Sequence, residues 1–231
     1  MSSQEAQRQP GASRAPGRGA GFLSELPADL REDLSRNASR VAYERGARID
    51  DAGSARRPGI VLEGLIRGYV VAEDGREATI RYMRPGDPVA IAGPLMDGWP
   101  CSLQALEPTT VLYFDPRQFE AALTTEVALA HRVAESLART LESYAHSLRV
   151  LAFGRVRQRV AEHLISLAAH DGRGRLVARV TQQGLADAVG SVRDVVARSL
   201  SDFSESGLVG TSHGSVEILD EEALRQEAVI R

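Results

Sequence analysis

Three hydrophobic patterns follow one another along the chain. Between Phe22 and Arg40, Leu23, Leu26, Leu30 and Leu34 recur at helical spacing, which predicts a short helical segment. From Val41 to Asp115 short apolar runs take over (GIVLEG, YVVAE, ATIRYM, TVLYFD), separated by glycine-bearing turns. The Asp74-Gly75 pair between two such runs signals a hairpin, because it supplies the positive φ that a tight turn demands. Short strands with turns roughly every 8–12 residues predict a sandwich or barrel.

From Pro116 the strand signal stops. RQFEAALT predicts a short helix and residues 125–152 a long one. Along the long helix Leu137, Leu141, Tyr144, Leu148 and Leu151 are spaced 4, 3, 4 and 3, with Val133 and Ala130 extending the series backwards. That is a coiled-coil seam and predicts a homodimer. A helix packed on its own β domain leaves a similar mark, and both readings hold if two faces are used. After Phe153-Gly154 an amphipathic helix is expected from about Val156 to Ala169, then a loop at Gly172-Arg173-Gly174.

The segment TQQGLADAVGSVRDVVARSLSDFSESGL, Thr181–Leu208, has the form of a helix-turn-helix. Thr181 suits the N-cap of a first helix. Leu185 and Val189 face inward, Ala186 is small where two helices approach, and Gly190 tolerates the positive φ of the turn. The second helix buries Val196, Leu200 and Phe203, which leaves Arg193, Asp194, Ala197 and Arg198 on its outer face. In this motif the N-terminal part of the second helix enters the major groove. There arginine donates two hydrogen bonds to guanine, and aspartate accepts from cytosine N4. LVGTSHGSVEILD follows as a hairpin wing with its turn near His213-Gly214. A helical hairpin with a solvated charged face is the plainer alternative.

Composition narrows the classes. The 231 residues are 43% hydrophobic, enough for one large or two modest domains with an ordinary core. No apolar run approaches the ~18–20 residues of a membrane helix, and MSSQEAQRQPGASRAPGRGAG lacks the apolar core of a signal peptide; a cytoplasmic location is expected. The net charge of −3 argues against a uniformly basic nucleic-acid binder but leaves room for a local basic patch. All 28 basic residues are arginine, a bias that a GC-rich genome explains. With one cysteine, Cys101, and no HExxH, neither a disulfide framework nor a structural zinc or iron–sulfur site is expected, and no metal is assigned. No Gly-x-Ser-x-Gly, phosphate loop or Cys/His cluster indicates an enzyme. Residues 1–21 have almost nothing to bury and are expected to be a disordered tail; a basic arm touching DNA through Arg8, Arg14 and Arg18 is the functional alternative.

The order of elements, with PGIVLEGLIRGYVV, DGREATIRYMRPGD, RVLAFGRVRQRVAEHL and VTQQGLADAVGSVRDVVARSL, resembles the Crp/Fnr family of bacterial transcription regulators over nearly the whole chain after residue 21. The resemblance implies an α+β chain. Its parts are an N-terminal double-stranded β-helix (jelly roll) like a cyclic-nucleotide-binding domain over 22–124, a dimerisation helix over 125–152 and a winged helix-turn-helix over 153–231. It further implies a homodimer on a palindromic operator in double-stranded DNA, with RNA polymerase as partner. By the same resemblance Arg193, Asp194 and Arg198 fall at base-reading positions and Thr181 and Gln183 at phosphate-contacting ones. Val192 replaces a phosphate-contacting serine, and its methyls are suited to a thymine methyl. Ser199 stands where an apolar residue is usual.

Cyclic-AMP binders of the family use a glutamate for the ribose and an arginine-hydroxyl pair for the cyclic phosphate. Here Ile91 stands near the glutamate position, and no arginine lies between Arg84 and Arg117. Tyr144 and Ala145 replace two hydroxyl residues that meet the adenine. A buried phosphate without a cation is uncompensated, so cyclic-AMP dependence is not expected and no cofactor is assigned. Met96, Trp99 and Cys101, with Tyr144, either line an apolar effector pocket or fill the space a nucleotide vacated; Cys101 as a redox switch stays open. The other function class left standing is a small-molecule-binding regulatory module without DNA binding, which would have no use for the Arg193, Asp194 and Arg198 stripe.

Overall fold

The computed structural model of the chain describes residues 21–49, 57–96 and 101–229. Most of the expected tail, with Arg8, Arg14 and Arg18, lies outside the described residues, as does Trp99. The N-terminal part opens with a single 3-10 turn, Phe22–Glu25, and helix α1, Ala28–Arg36. Pro27 separates the two and the helix stops at Arg36, so Ser39 and Arg40 belong to a strand and not to the helical segment expected up to Arg40.

Among the described residues of this part seven strands make two antiparallel sheets. They are β1 (Ser39–Tyr43), β2 (Gly59–Glu63), β3 (Ile66–Val71), β4 (Glu77–Met83), β5 (Pro88–Val89), β6 (Ser102–Ala105) and β7 (Thr109–Tyr113). One sheet runs β1-β7-β2-β5 and the other β4-β3-β6. Alternation along these strands sends Ile66, Met83, Leu103, Ala105, Val61, Val111 and Tyr113 into one shared core. The β3–β4 hairpin turns at Asp74-Gly75 as the sequence predicts, with Gly75 at φ +83°.

Two features fix the roll to the rest of the chain. Helix α2 (Pro116–Thr125) is capped by Asp115, whose carboxylate accepts from Gln118 N at 2.8 Å, and α3 runs on from Val127 to Phe153. The first half of α3 packs Leu129 and Val133 against Phe22, Leu30, Leu34, Phe114 and Phe119. Arg132, buried on the same face, pairs with Glu25 at 2.6 Å and Glu135 at 3.1 Å. Removing either carboxylate would leave a buried guanidinium short of a partner.

Beyond Gly154 the C-terminal part contains α4 (Val156–Leu167), β8 (Ala169–His170), β9 (Leu176–Ala178), α5 (Gln182–Val189), α6 (Arg193–Glu205), β10 (Val209–Ser212), β11 (Ser215–Ile218) and α7 (Glu221–Ala228). Its sheet runs β10-β11-β9-β8, so the predicted wing hairpin joins two strands that the hydrophobic pattern does not announce. Val160, Ala161 and Leu164 of α4, Leu185 and Val189 of α5, Val196, Leu200 and Phe203 of α6 and Leu224 of α7 share one core. Leu65 of the roll closes that core from outside, with Tyr82 and Leu106 packed against it. No helix among the described residues is long and apolar enough to cross a membrane.

Candidate nucleic-acid interface

Helices α5 and α6 are held by local chemistry before any partner is considered. The Thr181 hydroxyl oxygen accepts from Gly184 N at 3.0 Å and caps α5. At the other end Gly190 adopts φ +62°, ψ 46°, and Ser191 N donates back to Ala186 O at 2.9 Å. A side chain at 190 would meet nothing within 4 Å, so the demand for glycine there is conformational and not steric. Ala186 is fully buried between the helices. Ser199 is buried as well, and its hydroxyl is satisfied by the Val195 carbonyl at 3.1 Å.

With Val196, Leu200 and Phe203 committed to the core, α6 turns Arg193, Asp194 and Arg198 outward; all three are exposed, and Ala197 between them is half-buried. The Arg193 guanidinium has no ion-pair partner among the described residues, and that of Arg198 reaches only the Asp194 carbonyl, at 3.4 Å. Two cations and a carboxylate therefore stand free on the first two turns of the helix, in the chemistry that reads guanine and cytosine edges. Val192, 64% exposed, occupies the N-cap of α6 and makes no side-chain cap. Gln183 is exposed and bonded to Asp187 at 2.7 Å.

Residues 158–227 match the Crp-like helix-turn-helix domain family, and residues 40–126 the cyclic nucleotide-binding domain family. The transcriptional regulator LdrP of Thermus thermophilus is 33% identical over 171 residues, spanning 72% of this chain and 84% of that protein. The chain belongs to the Crp/Fnr family. A CRP-like cAMP-activated global transcriptional regulator of Mycobacterium tuberculosis is 28% identical over 220 residues, 90% of this chain and 96% of its own. A crystal structure of a CRP-family transcriptional regulator from Thermus thermophilus superposes with a TM-score of 0.68 at 29% identity, covering 83% of this chain and 98% of the other. Crp/Fnr proteins are transcription regulators with a DNA-binding helix-turn-helix and are not enzymes. The winged unit built here from α5, α6 and the β10–β11 hairpin is this family's DNA-binding part.

Along α3 the predicted seam divides between two faces. Val133 is 3% exposed and belongs to the roll's core, and Leu137 packs on the edge of the same core. Tyr144 and Leu151 are half-buried, whereas Leu141 and Leu148 are 69% and 68% exposed. The exposed heptad is Val127, His131, Ala134, Ala138, Leu141, Ala145, Leu148 and Ala152, spaced 4, 3, 4, 3, 4, 3 and 4. It shares Leu141 and Leu148 with the predicted line and elsewhere lies one residue round from it, because the apolar positions of α3 serve two adjacent stripes and the roll takes one. Small alanines at alternate layers made this second stripe hard to see in sequence.

The sensor side also differs in part from expectation. Cys101 and Tyr144 come together: burial raises the Tyr144 pKa, and the nearby Cys101 thiol raises it further. Met96 instead is 40% exposed beyond the 3-10 turn Gly93–Leu95, which carries it out of the roll, so it does not join them. Ile91 is buried against the α3 core. A β-bulge, at which Gly68 pairs Arg81 and Tyr69 pairs Thr79, leaves Ile80 unpaired. The Ile80 carbonyl accepts from the Ser147 hydroxyl of α3 at 2.8 Å, and Arg81 donates to Thr140 of α3 at 2.8 Å. Arg81 carries no sequence signal of this role; its register beside the bulge is a three-dimensional fact.

The joint between roll and DNA-binding unit was likewise absent from the sequence expectations. Tyr82 OH and His163 Nδ1 share a hydrogen bond of 3.0 Å with the rings edge to face, and Arg84 donates to the Ser166 carbonyl at 2.6 Å. Burial pushes the His163 pKa down to about 4, so the ring is neutral at neutral pH. His163 shares an apolar helical face with Val160, Leu164 and Leu167, the one sequence signal that marked it as buried. Beside the joint, Arg45, Arg67, Arg76, Arg179 and Thr181 line a cleft of about 660 Å³.

Proposed function

We propose that this Crp/Fnr regulator acts in the cytoplasm as a homodimer on a palindromic operator, in three parts: a roll over residues 22–124, a dimerisation helix over 125–152 and a DNA-binding unit over 153–231. The observation that carries the reading is the free Arg193, Asp194 and Arg198 stripe on a helix whose opposite face is wholly buried. Arg193 and Arg198 donate to guanine O6 and N7, and Asp194 accepts from cytosine N4. Thr181 spends its oxygen on the cap and keeps its hydroxyl proton for a phosphate, with Gln183 beside it. RNA polymerase is the partner expected of such a regulator.

The exposed α3 heptad supports the dimer: leucines at 141 and 148 alternate with alanines, which let two helices approach closely. The contacts between β4 and α3 support cyclic-AMP independence. Ile91 offers no acceptor for a ribose hydroxyl, and Arg81 already spans from roll to central helix. No effector is assigned.

Selection from random duplex DNA by the purified protein tests this. The expected product is an inverted repeat with half-site centres about 34 Å, one helical turn, apart. Recovery of no motif, or of a single asymmetric half-site, contradicts the dimeric reading.

A further inference from the structure

Val192 breaks a local rule of helix stability. It is the N-cap of α6, where Asn, Asp or Ser outrank valine. Within the DNA-binding unit the helices on either side are capped, α5 by Thr181 accepting from Gly184 N at 3.0 Å and α7 by Asp220 accepting from Ala223 N at 2.9 Å, whereas α1 and α3 elsewhere in the chain also lack a side-chain cap. The lapse is not repaid by packing, since Val192 is 64% exposed and belongs to none of the three apolar cores. The missing cap is shared with α1 and α3; what sets Val192 apart is an apolar side chain left exposed and unpacked directly beside the free Arg193, Asp194 and Arg198. The side chain is continuous with the stripe that begins at Arg193, on the end of α6 that enters the groove.

The major groove offers one apolar group on a base edge, the C5-methyl of thymine. We infer that Val192 is a specificity residue that reads a thymine methyl beside the base pair contacted by Arg193. The inference rests on α6 being the reading helix. Burying a methyl between two valine methyls removes apolar surface that is wet on both free partners, and that gain is absent when the base is uracil.

The test uses full-length protein and the operator it selects from random duplex DNA. Each thymine of the half-site is replaced in turn by deoxyuracil, which deletes only the methyl. One thymine per half-site is expected to weaken wild-type binding about fourfold on substitution. Val192→Ser is expected to bind the thymine and uracil operators equally, and to melt no lower than wild type, since serine is the better cap. The inference is overturned if every thymine tolerates uracil, if the half-site contains no thymine, if Val192→Ser keeps the full methyl dependence, or if it melts lower than wild type. Arg193→Ala separates the two levels. If it leaves the selected motif unchanged, the reading of α6 falls; if it changes the motif while uracil is silent, only Val192 falls.

Discussion

Acid should weaken the joint between the roll and the DNA-binding unit through a single ring. His163 is buried beside Tyr82, and burial lowers its pKa from 6.5 to about 4. The unfolded chain therefore takes up this proton first as pH falls. The stability contributed by the neutral ring is complete above 6.5, is lost progressively below it, and is gone near pH 4. At about 1.4 kcal/mol per unit the full loss is about 3 kcal/mol, of which about 2 kcal/mol has gone by pH 5. His146 works in the opposite sense. Its hydrogen bond to Glu162, across α3 and α4, raises its pKa. Its share is present below 6.5 and fades as pH rises through the raised value. The comparison must therefore be between proteins and not between pH values alone. In urea unfolding at pH 7.5 and 5.0, wild type is expected to lose about 2 kcal/mol more than His163→Gln, whose amide does not titrate. Tyr82→Phe keeps the ring and should keep the acid loss while costing about 1 kcal/mol at both pH values. Parallel losses in wild type and His163→Gln would refute the reasoning.

Gly190→Ala forces a Cβ into φ +62°, and a loss of about 1 kcal/mol in thermal or urea unfolding is expected, from the backbone conformation and not from clashes with packed neighbours. Leu141→Glu with Leu148→Glu places like charges on the exposed stripe of α3; sedimentation should show a monomer that keeps its secondary structure, and a persistent dimer would place the interface elsewhere. Arg157 bonds Glu227 at 2.8 Å and Asp202 at 3.1 Å and lies over Phe203 at 4.3 Å, tying α4 to α6 and α7. Arg157→Ala should cost about 1–2 kcal/mol, seen as a lower urea midpoint, because the pairs are partly solvated.

What could be read in the sequence followed the range of the interactions. The Asp74-Gly75 turn, the Gly190 turn, the Thr181 cap and the α6 core face are each decided within a few residues, and each stands where the pattern put it. The small strands β8 and β9 and the helix α7 have short or polar sequences, and their existence depends on α4 and β11 for partners. That α3 has room for a roll-facing and a free stripe was legible, but not which residues belong to each, because which leucines are spent depends on Phe22 and Phe114, remote in the chain. Arg81, Tyr82 and His163 carry no motif; a bulge and a domain contact give them their places.

The central claim is that the exposed stripe of α6 reads the operator, and Arg193→Ala measured on the wild-type-selected operator tests it most directly. Fluorescence anisotropy at fixed salt should show a loss of about 1–3 kcal/mol per half-site, with discrimination relaxed at one guanine and little changed elsewhere. Equal affinity and an unaltered base preference at every position would contradict it.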